Sequence, residues 1–102
     1  MDALSFEFQD FLVRLGRNPS FVSGKVEHYI KHILHLLSVE DEQLVICHYG
    51  LFGKEPKSLD ELAKERGVER EVLLHTLESS LRKLAITPEW QMVKQFANRS
   101  HA

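Results

Sequence analysis

Apolar residues recur along this chain with a helical period almost from end to end. Leu4, Phe8, Phe11, Leu12 and Leu15 fall at i, i+4, i+7, i+8 and i+11, one face of an amphipathic helix. Gly16 to Pro19 interrupts the stripe, and the pattern resumes with Ser20 or Ser23 as an N-cap. Val26, Tyr29, Ile30, Ile33 and Leu37 mark a second helix. Ser38 opens a third, with Glu40, Asp41 and Glu42 in the turn where the helix dipole favours acids. Leu44, Cys47 and His48 are read on its inner face, and Gly50 is placed to end it. The glycines and proline of residues 50–57 then make a loop.

Beyond the loop, Ser58 and Glu61 have the spacing of a capping box. Gly67 turns the chain into a longer helix over about 69–84, whose Leu73, Leu77, Leu81 and Leu84 share one side. Thr87 and Pro88 stand at N-cap and N1 of a last helix, with Trp90, Val93 and Phe96 as its stripe and fraying from Ala97. The pattern contains no convincing strand and no internal repeat. The expectation is an all-α chain of about six helices. It divides into an N-terminal helical hairpin over 1–37, a second unit over 38–97 and a tail over 98–102.

Within that second unit the spacing is that of a helix-turn-helix. A tight turn between steeply packed helices needs a small residue where the backbones approach, a residue tolerant of positive φ at the corner, and a branched anchor beyond it. Ala63, Gly67 and Leu73 supply these in order, with Leu59, Leu62 and Val68 on the apolar side. Such a motif mostly serves to lay its second helix in the DNA major groove, so DNA is the first expected partner.

Charge tempers that expectation. Thirteen Lys/Arg against fifteen Asp/Glu give a formal net charge of −2, and phosphate contacts usually make strong autonomous DNA binders basic. Over residues 54–84 seven basic residues face seven acidic ones. The single cysteine, Cys47, rules out an internal disulfide and reads as a structural thiol in a reducing, cytoplasmic setting. No apolar run approaches the roughly 20 residues of a membrane span, and the N-terminus lacks the order of a signal peptide.

From Val39 to Leu84 the chain resembles region four of housekeeping-type bacterial RNA polymerase sigma factors. The resemblance runs through Tyr49-Gly50-Leu51, the loop with Gly53 and Pro56, Ser58-Leu59-Asp60-Glu61-Leu62-Ala63, Gly67-Val68, Arg70-Glu71 and Leu81-Arg82-Lys83-Leu84 without a gap. It implies docking on RNA polymerase and reading of the upstream promoter element. Carried over by position, the expected DNA contacts are Arg66, Arg70, Glu71, His75, Arg82 and Lys83, with Lys54 and Lys57 nearby. The departures fall on the reading helix: where the family has two arginines this chain has Val72 and Leu74, and His75 replaces a glutamine. Each arginine replaced costs about 1–3 kcal/mol where it touched a base.

The alternative is a protein-interaction module on the same fold that has lost its DNA-reading face. RNA polymerase, a sigma factor or a second copy of the chain would then be the partner. Near the N-terminus, Phe8-Gln9-Asp10-Phe11-Leu12 with Gly16 and Ser20 is similar to the arm-type domain of tyrosine recombinases, although no catalytic arginine, histidine and tyrosine set follows.

His28, His32 and His35 lie within about 60° on one helix face. The apolar residues of that helix point the other way, so the three read as a solvated face rather than a metal site. Nothing in the chain has the make-up of a phosphate loop or a nucleophile elbow. The expectation is therefore a non-enzyme without cofactor or metal.

Overall fold

The computed structural model describes residues 1–99, with side chains through Phe96. Six α-helices follow in order: α1 (Ala3–Arg17), α2 (Gly24–Leu34), α3 (Val39–Tyr49), α4 (Leu59–Arg66), α5 (Arg70–Ala85) and α6 (Pro88–Arg99). A short 3-10 turn, Pro19–Phe21, separates α1 from α2, and there is no strand among the described residues. The all-α expectation holds. The last residues of the expected tail, 100–102, lie outside the described residues.

Most helix starts are closed by a side-chain oxygen that takes up an amide of the first turn, where no intrahelical acceptor exists. Ser23, Ser38 and Ser58 accept from the amides of Val26, Asp41 and Glu61. Asp2 accepts from Ser5 at 2.8 Å, and the Thr87 hydroxyl accepts from Trp90 at 3.2 Å. Gly50 ends α3 in the left-handed region at φ 65°. A side chain there would be strained, and its Cβ would stand 2.8 Å from Cδ of Pro56.

One contiguous core draws on all six helices. Helix α5 is central, packing against α1, α3, α4 and α6, while α2 lies along α6. Leu44, Leu77, Leu81 and Leu84 are fully buried or nearly so, each stabilising the fold by about 1.5–3 kcal/mol relative to exposure. Trp90, 1% exposed, packs its ring against Phe8 and Phe11 with centroids 4.8 and 5.0 Å away. At the far end of α1, Gly16 lies so close to α3 that an added Cβ would collide with the Tyr49 carbonyl oxygen.

Several face assignments shift. Leu4 is exposed, and buried Ser5 takes the inward position, so the stripe of α1 reads Ser5, Phe8, Phe11, Leu12, Leu15. Helix α2 stops at Leu34; Leu37 is buried, but from the turn beyond it. On α3 the buried set is Glu42, Leu44, Val45 and Tyr49, with Cys47 and His48 half-buried. Nδ1 of His48 sits 2.9 Å from the Lys57 carbonyl, and the Lys57 amide donates to the Cys47 carbonyl, so the 50–57 loop is held back on α3. Val68 and Tyr29 are exposed rather than inward.

Candidate nucleic-acid interface

The region that carries the sequence-derived DNA contacts is built from α4, a three-residue turn and α5. Ser58 starts α4, and the dipole-favoured acids Asp60 and Glu61 fill its first turn. Leu59, Leu62 and Ala63 point into the core. Gly67, at φ 68° and ψ 32°, reverses the chain, and the Val68 amide donates to the Ala63 carbonyl to close the α4 end. Leu73, 3% exposed, anchors α5 one turn later. The outer side of α5 near its start is thereby left in solvent, with Arg70, Glu71 and Val72 exposed and Leu74 half-buried.

The eight candidate residues all lie at the surface, Lys57 partly covered. Arg70 Nε stands 3.2 Å from Asp60 Oδ1, a pair made across the turn. Arg66 donates to the Glu40 carbonyl at 3.0 Å, tying the end of α4 to the start of α3. Lys57 Nζ lies 2.8 Å from Glu65 Oε2, and this hydrogen bond raises the lysine pKa. Glu71, Lys54 and Lys83 are exposed.

His75 and Arg82 meet a neighbour that the sequence pattern did not reveal. The start of α1 lies beside them, and Met1, Asp2 and Ser5 face His75, Glu78, Ser79 and Arg82 across a shallow hollow of about 280 Å³. Arg82 Nε is 3.4 Å from Asp2 Oδ2. Asp2 therefore serves two partners: Oδ1 caps α1 and Oδ2 faces Arg82. The Ser5 hydrogen bond, with Arg82 adding to it, holds the Asp2 carboxyl below the usual carboxylate range. The available signal was Ser5 itself, three residues after an Asp and three before Phe8, with the spacing of both a capped and an inward residue.

Helix α5 also starts differently from its neighbours. Glu69 occupies its N-cap position without a side-chain cap, whereas Asp2, Ser23, Ser38, Ser58 and Thr87 cap the other five. Its first amides are thus without the side-chain acceptor present elsewhere.

No family model, curated protein or solved structure matches this chain.

The remaining chemistry-bearing residues do not assemble. His28 and His32 are exposed on α2 and His35 is exposed just past its end, and His35 Nδ1 meets Glu42 Oε2 at 2.6 Å, tying that end of α2 to α3. Among the described residues no group of three or more His, Cys, Asp or Glu is placed to hold a metal ion. None of the described helices is long and apolar enough to cross a membrane.

Proposed function

We propose that this chain is a small DNA-binding transcription protein resembling sigma factor region four, with α4 and α5 acting as a helix-turn-helix that works beside RNA polymerase. The observation that carries the reading is the left-handed Gly67 turn, beyond which the outer side of the first turns of α5 stands in solvent with Arg70 and Glu71 outward. In this motif the N-terminal residues of the second helix touch base edges while flanking cations hold phosphates. Arg66, Lys83, Lys54 and Lys57 take the flanking role. The uncapped amides of α5 fit the same use, because helix starts accept phosphate oxygens.

The ion pair at Arg70 is no obstacle. Both partners are more than half exposed, and such surface pairs are worth about 0–1 kcal/mol, so a phosphate can displace Asp60. The neutral balance of residues 54–84 makes the affinity modest, and what the cations contribute weakens with salt in proportion to the phosphates they contact.

A second reading, a protein-interaction module on the same fold, is favoured by one observation. Val72 is 55% exposed on the outer side of α5, where an apolar side chain suits a protein surface better than a phosphate backbone.

Fluorescence anisotropy with a random duplex, titrated from low to physiological salt, separates the two. The DNA reading expects binding that weakens steeply with salt. Arg70→Ala and Lys83→Ala each remove a cation that neutralises a phosphate, so each should flatten the log–log salt slope by about 1. No binding at low salt would sink the DNA reading and leave the protein module.

A further inference from the structure

A second hollow takes none of its lining from α4 or α5. It runs between α2 and α6 with a volume of about 550 Å³, and Val26, Ile33 and Val93 form its floor. Tyr29, Met92 and Phe96 also line it, yet they remain 43%, 64% and 53% exposed. Large apolar side chains thus stand beside a large apolar hollow on one face. Contiguous exposed apolar surface of this kind marks an interaction site rather than ordinary solvent-facing protein.

We propose that this face is a dimer interface whose occupant is a second copy of the chain. The first argument is shape. The projecting and receiving parts, Met92 and Tyr29 against the Val26–Ile33–Val93 floor, belong to the same patch. A two-fold axis through that patch brings each copy's projections to the other's hollow, as an isologous interface requires.

The second argument is charge. The rim carries Lys25 on α2 and Glu89 on α6, and neither takes part in an ion pair among the described residues. A two-fold pairing lets Lys25 of one copy face Glu89 of the other, twice over. A partner of one charge sign would satisfy one rim residue and repel the other, which is how electrostatics selects between occupants. The dimer stands independently of the DNA reading. If both hold, two copies of α5 reach two half-sites, which offsets the weak charge of one copy.

Sedimentation equilibrium on the full chain without DNA, from micromolar to millimolar concentration, tests the proposal. The average mass should climb from 11.8 kDa toward twice that value. Met92→Glu should raise the dissociation constant at least tenfold, and Lys25→Glu should weaken association by placing like charges together. The double reversal Lys25→Glu with Glu89→Lys should restore it. All three positions are exposed, and circular dichroism verifies that each variant is folded. A chain monomeric throughout gives the groove to some other partner and overturns the proposal. So does a dimer indifferent to Met92→Glu, or a double reversal that fails to rescue.

Discussion

Two helix pairs in this molecule solve the same packing problem with opposite results. Helices α1 and α5 bury matched stripes: Phe8, Leu12 and Leu15 on one, Leu77, Leu81 and Leu84 on the other, all 2% exposed or less. A small residue, Ser5, faces α5 where α1 begins. Helices α2 and α6 also turn apolar faces toward each other, yet their contact leaves a trough with Tyr29, Met92 and Phe96 at its edge. Ridge-into-groove packing needs stripes whose widths agree. A stripe widened by long side chains covers its neighbour and still has apolar surface to spare. The first pair spends its apolar surface inside the chain, and the second keeps some for the outside.

The largest test of that contrast is truncation on each side. Leu81→Ala should lower stability by about 2–5 kcal/mol through reduced burial and a cavity. Met92→Ala, in dilute solution, should change it by less than about 0.5 kcal/mol. Urea denaturation of the two variants measures both, and comparable losses would mean that the trough is closed in solution.

A smaller effect is expected at a glycine on one helix of each pair, Gly16 on α1 and Gly24 on α2. At Gly16 an added Cβ would sit 2.0 Å from the Tyr49 carbonyl oxygen, so Gly16→Ala should force the α1 and α3 backbones apart at about 1–3 kcal/mol. At Gly24, the first residue of α2, a Cβ meets nothing within 4 Å. Gly24→Ala should be neutral or stabilising by up to about 1 kcal/mol. Thermal unfolding of the pair would blunt the comparison if both variants melted alike.

The smallest effect concerns pH and the start of α1. The folded-state pKa of Asp2 is lowered, chiefly by the backbone hydrogen bond from Ser5. A depressed carboxyl contributes stability that is present above its unfolded value and is lost as the pH falls through its folded value. Asp2→Asn should therefore flatten the most acidic part of the stability curve and leave the curve near neutrality with the same pH slope. Equilibrium unfolding from pH 2 to 7 would show this, and an unchanged acid limb would mean that the cap is not maintained in solution.

Helix positions were largely legible in the sequence because their signals are local. Ser23, Ser38, Ser58 and Thr87 announce helix starts, Gly50 and Gly67 announce stops, and each acts within four residues of its partner. The inward set of α5 was equally clear, since four leucines at helical spacing leave one choice of face. Leu4 and Ser5 exchange roles because they flank Phe8 on the helix, about 40° to one side and about 60° to the other, and neighbouring helices decide between them. For the candidate site, the sequence indicated which residues are polar and outward on α5. It could not indicate that Arg82 meets Asp2 or that Arg66 meets Glu40, because those meetings join distant parts of the chain through the packing of whole helices. The trough between α2 and α6 was hidden for the same reason: periodicity fixes a helix face and leaves its coverage open.

The place of Trp90 gives the molecule an optical readout of its own assembly. It is the sole tryptophan, shielded from water and set edge-on against Phe8. Its emission belongs to the blue end of the indole range while α6 is seated on α1, and it reddens when that helix departs. Because Trp90 is on α6 and Phe8 on α1, this one fluorophore reports the closure of helices far apart in sequence. Far-ultraviolet dichroism, by contrast, counts helices wherever they lie. Any interval between the two signals during refolding would time the docking of α6 after the helices have formed.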